Sequence, residues 1–302
     1  MSRKANEMSD SETPLSKRWL WFSVWIVFSL IVLVKPLAEL VRLSLSQDDA
    51  SHLILIPFIS AAIVYLERHR IFLLFSWDKV LGGIFLLLAS LVTLVSYFVK
   101  TPPSAGLQLA GWILVLVLLW ASGFAFVFGR AALRAACFPF LFLLLMVPIP
   151  SFLLDRVISL LQEGSAWITG VLFDLVGVPA LREGLVFHLA KANIEVAKEC
   201  SGIRSSMALL ILALLVAHFK LRSLSAKVLF VTCGLLMMIL KNGVRIATLT
   251  LLAIYVDPGF LTGRLHHQGG VVFFVLALLL LLPLLYFLQH MDSKRRVTLD
   301  PS

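Results

Sequence analysis

Residues 228–255 read VLFVTCGLLMMILKNGVRIATLTLLAIY, an apolar run that carries one arginine, Arg245, just after an Asn-Gly pair. A helix needs about 20 predominantly apolar residues to cross a bilayer, so this run predicts a transmembrane helix. Seven other runs satisfy roughly the same criterion, namely residues 19–43, 51–67, 80–99, 106–128, 133–149, 203–219 and 269–289.

The composition agrees with a membrane protein. The chain has 302 residues, of which 60% are hydrophobic and 14% charged. A water-soluble protein of this length cannot bury so much apolar surface in its core. We predict an all-α polytopic membrane protein with about eight transmembrane helices. Its membrane-embedded domain is assigned to residues 17–291, between a polar, disordered tail at 1–16 and a second tail at 292–302.

Lysine and arginine orient the predicted helices. If the eight runs alternate in direction, five basic clusters fall on one side of the membrane: Lys17 and Arg18; Arg68, Arg70 and Lys79; Arg130 and Arg134; Lys220, Arg222 and Lys227; Lys294, Arg295 and Arg296. Loops rich in Lys and Arg stay in the cytoplasm, so both termini are predicted to be cytoplasmic, in a plasma (inner) membrane. The net charge of +9 then reflects these loops and not a nucleic-acid-binding surface.

The segment between Pro148 and Glu199 is the one long excursion on the opposite, outer side. Residues 152–176 have apolar positions at helical spacing, interrupted by charged and amide side chains, which favours a helix lying at the membrane interface. Gly177 begins a break, and residues 184–197 are rich in branched and aromatic side chains with partial alternation. We predict a short strand or hairpin there that delivers Cys200 to the outer end of the 203–219 helix.

The chain has three cysteines, an odd number without CxxC or metal-ligand spacing, so we expect no disulfide framework, no metal and no cofactor. Cys137 and Cys233 lie inside apolar runs and are interpreted as small core residues. Cys200 lies where the chain enters a helix, and the positive end of a helix dipole would stabilise its thiolate. A lone cysteine in a membrane protein is also often buried and inert.

Two further groups are predicted to lie near the outer side. Arg245 falls in the outer half of an otherwise apolar helix, where a charged group is costly unless it has a partner or a function, although it could also reach the interface as an anchor. His266 and His267 precede the last helix. A histidine at a membrane boundary is commonly just solvated, but beside a cysteine and an arginine it is suited to be the general acid and base of acyl transfer.

The motifs around these residues resemble those of the exosortase/archaeosortase family. The resemblance rests on EVAKECSGIR (195–204), NGVRI (242–246) and His266 four residues before GVVFF (270–274), and extends to DDASH (48–52), FPFLF (138–142), MVPIP (146–150) and GVPALR (177–182). It covers roughly residues 20–285. Two positions depart from the family pattern, because Leu53 stands where glycine is frequent and the doubled histidine leaves the base ambiguous.

The resemblance implies a membrane transpeptidase that recognises a C-terminal sorting signal of PEP-CTERM type. It carries the catalytic roles to Cys200, Arg245 and His266. Around them we assign Arg204, Asn242, His267 and Glu195 to substrate binding, with Arg204 holding a substrate carboxyl group or a neighbouring carboxylate, or else serving as an interfacial anchor. The implied partners are exported client proteins with a short C-terminal motif, an apolar helix and a basic tail, the lipid bilayer, and an acceptor such as a lipid or glycan.

Two rival classes are considered. A channel or transporter would place several charged or broken helices near the midplane, with inverted halves, and the sequence has no such repeat. A membrane acyl- or glycosyltransferase that acts on lipid-linked substrates without a covalent intermediate is the closer rival, because outer-face arginine and histidine would suit that chemistry too. The expected function is therefore a cysteine transpeptidase or protease of the outer membrane face, with this transferase as the alternative.

Overall fold

The computed structural model describes residues 15–98, 105–190, 193–196, 203–261 and 270–299. The chain divides into two compact units, the first up to Leu153 and the second from Leu154. Among the described residues, six helices are long and apolar enough to cross a membrane, and a seventh span is counted if the consecutive segments Cys137–Met146 and Ser151–Val176 form one. The predicted all-α polytopic class is confirmed, with six or seven spans against the eight predicted.

The second predicted span accounts for part of the difference. Residues 51–55 form turns, and the helix that follows, Ile56–Leu66, has only 11 residues. At about 1.5 Å per residue it is roughly 17 Å long, well short of a hydrocarbon core about 30 Å thick. The predicted span at 51–67 included the turn residues because hydropathy does not distinguish them from the helix that follows.

Within its described residues the first unit has seven α-helices: α1 (Leu15–Val32), α2 (Val34–Ser46), α3 (Ile56–Leu66), α4 (Arg68–Ile71), α5 (Lys79–Phe98), α6 (Ala105–Ala135) and α7 (Cys137–Leu143). Its core is aromatic, and the Phe124 and Phe128 rings on α6 lie with their centroids 4.9 Å apart. Phe72 meets the Phe128 ring edge-on at 4.9 Å. Such pairs add to the burial of their large apolar surface.

Gly129 interrupts α6 with a φ of +81°. A side chain there would collide with the Ser76 carbonyl, and the Ser76 N–H donates to the Phe128 carbonyl at 3.2 Å. Because glycine adopts positive φ without a steric penalty, it allows α6 to change direction where the α4–α5 connection docks.

The second unit contains α8 (Ser151–Val176), a small sheet, and three long helices, α9 (Ile203–Lys220), α10 (Leu224–Tyr255) and α11 (Gly270–Leu299). The sheet has strands β1 (Ala180–Glu183), β2 (Val186–Leu189) and β3 (Asn193–Glu195), all antiparallel in the order β1-β2-β3. The predicted hairpin is therefore confirmed, and it begins earlier than expected, at Ala180, because β1 pairs with β2 across the turn at Gly184.

The α8 helix matches the predicted 152–176 within one residue. Its charged residues Asp155, Glu163 and Asp174 are exposed, whereas Gln162, Ser165 and Thr169 are buried. The helix thus turns its charges outward and a stripe of uncharged polar side chains inward.

Helices α9, α10 and α11 share a core that combines small and large side chains, formed with the residue after α9 by Leu209, Ala213, Ala217, Leu221, Ala226, Phe230, Met238, Ala277, Leu281 and Leu288. Small residues let transmembrane helices approach closely. At one end of this bundle the Asp292 carboxylate accepts from the Ser223 hydroxyl at 2.5 Å and from the Arg222 N–H at 2.9 Å. Ser223 caps α10 and is thereby tied to α11.

Candidate active site

Three polar side chains interrupt the middle of α10: Lys241, Asn242 and Arg245. Lys241 is 6% exposed and Asn242 is 2% exposed, and Arg245 lies half-buried one turn further along. Polar and basic groups inside a membrane helix are expensive and are functional candidates by default. Their neighbours on α8, α9 and the sheet define the site.

Helix α8 meets α10 at Asn242 and Gly243. The Asn242 side-chain amide donates to the Ser165 hydroxyl at 3.0 Å, and the Thr169 hydroxyl lies 3.2 Å from the Gly243 carbonyl. The backbones are so close that a Cβ on Gly243 would lie 2.5 Å from Ile168 Cγ2 and 3.0 Å from the Ser165 carbonyl. Glycine is therefore what permits this contact.

Helix α9 meets α10 through Lys241, whose amino group donates to the Ser205 hydroxyl. Ser205 lies in the first turn of α9, which begins at Ile203. The first turn of a helix has no intrahelical acceptors for its N–H groups. In α9 the Ser205 side chain of this turn is hydrogen-bonded to the stretch of α10 that carries Arg245.

The sheet meets α8 and α10 in a small apolar core. Val196, directly after β3, is 1% exposed and packs in the same cluster as Ile246 and Ala247 of α10. The Phe173 and Phe187 rings of that cluster are perpendicular, with centroids 5.4 Å apart. The Val196 carbonyl accepts from the Gln162 side-chain amide at 2.6 Å, and its N–H donates to the Leu185 carbonyl at 2.9 Å.

Residues on both sides of Cys200 in the chain thus lie against the Lys241–Ala247 stretch of α10. Val196 is four residues before Cys200 and packs with the residues that follow Arg245. Ser205 is five residues after Cys200 and bonds to Lys241, four residues before Arg245.

The predicted site residues fall into two groups. Arg245 and Asn242 lie on α10 within this cluster, Arg204 is an exposed neighbour of Ser205, and Glu195 is exposed at the end of β3. Cys200, His266 and His267 lie outside the described residues, so the structure does not test how they are placed.

Sequence reasoning missed Lys241, Ser205, Gln162, Ser165 and Thr169 as members of the cluster. Gln162, Ser165 and Thr169 are three and four residues apart, and that spacing puts them on one face of α8. Lys241 and Arg245 are likewise one turn apart on α10. Uncharged polar stripes and one-turn basic pairs inside apolar helices are the signals that could have found them.

The arrangement suits the handling of a developing negative charge. Arg245 has a guanidinium that can donate to such a charge, and it lies on a half-buried face of α10, one turn from the residues that join α10 to α8 and α9. Within the described ranges, no group of three or more His, Cys, Asp or Glu side chains could hold a metal ion.

Comparison with known proteins adds the family. The model for transmembrane exosortases matches residues 44–283, most of the chain and the whole of the cluster described above. No curated protein and no solved structure matches significantly. With its transmembrane helices and this match, the chain belongs to the transmembrane exosortase family and is a membrane enzyme of protein sorting.

Proposed function

We propose that this exosortase is a cysteine transpeptidase that cleaves the C-terminal sorting signal of exported client proteins at the outer face of the plasma membrane. The observation that carries the proposal is the buried polar cluster of α8, α9 and α10. It anchors Val196 and Ser205, which lie four residues before and five residues after Cys200 in the chain, against the part of α10 that includes Arg245. That arrangement favours a cysteine and an arginine that act together.

In the proposed reaction the Cys200 thiolate attacks the scissile carbonyl carbon of the client. Arg245 donates to the oxyanion that develops on the carbonyl oxygen. The C–N bond then breaks as His266 gives its proton to the leaving amine, and a thioester joins Cys200 to the client. An acceptor nucleophile, an amine or a hydroxyl of a lipid or glycan, attacks the thioester carbonyl, loses its proton to His266 and releases the Cys200 thiolate. Water resolves the thioester slowly.

The remaining predicted residues are proposed to bind the client. Arg204, exposed at the start of α9, and Glu195, exposed at the end of β3, are proposed to contact polar groups of the sorting motif. Asn242, which also bonds Ser165 on α8, is proposed to contact the client from α10, and His267 is both a binding residue and the alternative to His266 as acid and base. The client is an exported protein with a short motif, an apolar helix and a basic tail at its C-terminus.

Replacement of the nucleophile tests the proposal. Cys200→Ala should leave clients full-length in the membrane, whereas Cys137→Ala and Cys233→Ala should process them normally. The measurement is client length by immunoblot at matched enzyme levels, together with mass spectrometry of a thioester-linked client peptide on Cys200. Normal client maturation by Cys200→Ala would overturn the proposal and favour a transferase that forms no covalent intermediate.

The outward orientation of the site is tested separately. In a variant without the native cysteines, a membrane-impermeant thiol reagent applied to intact spheroplasts should label Thr262→Cys but not Ser223→Cys. The charge pattern of the sequence assigns these two positions to opposite sides of the membrane. The reverse labelling pattern would contradict action on exported clients.

A further inference from the structure

We propose that Lys241 and Gln162 are positioning residues which hold the two ends of the Cys200 segment in register with Arg245. Lys241 acts through Ser205, after the segment, and Gln162 acts through Val196, before it. This inference rests on the proposed function and adds to it a pair of residues, neither of them expected to touch the client.

The energetics of Lys241 argue against a purely structural role. It is 6% exposed in the middle of a long apolar helix, and Ser205 is the hydrogen-bond partner that the described residues provide. A basic group taken into an apolar interior loses its solvation, and well-packed apolar residues of similar volume are often as stabilising or more so. A leucine or methionine at position 241 would serve helix packing at least as well. The bond to Ser205 fixes the rotation and height of the first turn of α9 relative to α10, which apolar packing does not specify.

Gln162 holds the chain before Cys200, as Lys241 holds it after Cys200. It is 6% exposed on the inward face of α8, and its amide reaches the carbonyl of Val196 at 2.6 Å. Val196 is the residue after β3 and its N–H is already bonded to Leu185. The backbone of Val196 is thus held on both sides, at the last described residue before Cys200.

Val196 and Ser205 are nine residues apart in sequence, and both are held. Val196 is bonded to α8 and packs against α10, and Ser205 is bonded to α10, the helix that carries Asn242 and Arg245. Restricting the two ends of a short segment reduces the conformations open to the residues between them, and orientation of reacting groups contributes strongly to rate. Loss of either tie should therefore slow the chemical step more than it weakens client binding.

The test uses full-length enzyme in membranes, with purified client at several concentrations. Lys241→Met, Ser205→Ala and Gln162→Leu should each lower kcat by roughly 10- to 100-fold, the range expected for one hydrogen bond that aligns a reacting group, with KM changed by less than about twofold. Ser205→Thr, which keeps the hydroxyl, should restore most of kcat. Lys227→Met removes a lysine from the first turn of the same helix and is the matched control that should behave as wild type.

A double variant isolates the Lys241–Ser205 pair. If the two residues act through one bond, Lys241→Met combined with Ser205→Ala should be no slower than Lys241→Met alone. Rates that multiply would overturn the pairing, as would failure of Ser205→Thr to restore kcat. Membrane level and melting temperature are recorded for every variant, and because Ser205→Ala changes only a hydroxyl, it remains informative if Lys241→Met does not fold.

Thiol reactivity distinguishes positioning from activation. In a background of Cys137→Ala and Cys233→Ala, Cys200 is the single thiol, and its alkylation by iodoacetamide is followed against pH. Lys241→Met should leave this profile unchanged, since a small reagent needs no alignment with the client. A displaced profile would show that Lys241 acts on the thiol and would overturn the positioning role.

The proposed function and the positioning role fail in different ways. If Cys200→Ala still cleaves clients, the proposed function fails. If Cys200→Ala is inactive but Lys241→Met and Gln162→Leu cleave clients normally, only the positioning role fails.

Discussion

Two buried basic side chains, Arg18 in the first unit and Lys241 in the second, are accommodated in opposite ways. Arg18 is fully buried, its guanidinium lies 5.0 Å from the centre of the Phe75 ring and 4.9 Å from that of Trp77, and its Nη1 donates to the Val127 carbonyl at 2.6 Å. Lys241 is almost as buried, yet it bonds a serine hydroxyl and has another basic residue, Arg245, one turn away.

The difference distinguishes the structural site at Arg18 from the proposed functional site on α10. Aromatic faces and a main-chain carbonyl hold the guanidinium within the protein and join α1, α6 and the α4–α5 connection. In the second unit, Lys241 and Arg245 lie one turn apart on α10, near amide and hydroxyl groups, and Arg245 is the residue proposed to donate to a substrate oxyanion. Burial of a charge alone therefore does not identify an active site; the nature of its surroundings does.

The largest expected effect is on turnover at Arg245. A guanidinium presents a rigid fork of donors that lysine does not reproduce, so Arg245→Lys should keep the membrane level and lose roughly 2 to 4 kcal/mol of transition-state stabilisation, the range measured for one oxyanion-hole donor. The rate of client cleavage in membranes with equal enzyme measures this. Arg156→Lys, at an exposed position of α8, is the matched control. Near-wild-type turnover of Arg245→Lys would remove Arg245 from the catalytic set and leave it as an interfacial anchor.

Replacement of Arg18 is expected to lower the stability of the protein without changing the rate of client cleavage. Arg18→Ala removes the ring contacts and the bond to Val127 and leaves a cavity, which should lower the free energy of unfolding by about 2 to 3 kcal/mol. Lys17→Ala, at the exposed neighbouring position, should have little effect. Thermal unfolding in detergent gives the stability, and client cleavage per folded molecule should be unchanged. A loss of cleavage in the remaining folded enzyme would break the contrast between the two sites.

The smallest effect is expected at the α8–α10 contact. Gly243→Ala places a methyl group 2.5 Å from Ile168 Cγ2, so the helices must separate, at a cost of about 1 to 3 kcal/mol. Gly83→Ala on α5 meets nothing within 4 Å and should stabilise the protein by up to ~1 kcal/mol, since alanine favours helix. Thermal unfolding of both variants in detergent measures these changes. A Gly243→Ala protein as stable as Gly83→Ala would mean that the close approach is not required.

Prediction from sequence succeeded where the signal is local. The predicted 152–176 helix lies within one residue of Ser151–Val176, and β2 and β3 lie in the predicted hairpin at 184–197, because alternation and helical spacing are periodic along the chain. The strand β1 lies before that stretch and was not predicted. The count of spans was less accurate, since hydropathy at 51–67 does not distinguish a short helix from the turn before it.

By itself, the sequence determined that the protein is an all-α membrane protein, which stretches are apolar enough to span, and which motifs carry cysteine, arginine and histidine. Only the tertiary structure decided that Lys241 meets Ser205, that Gln162 meets the Val196 carbonyl, and that Arg18 is enclosed by aromatic rings. Composition and periodicity report how each segment partitions between lipid and water. A hydrogen bond between segments depends on the rotation and height of two helices relative to each other, which the packing of all their side chains sets together.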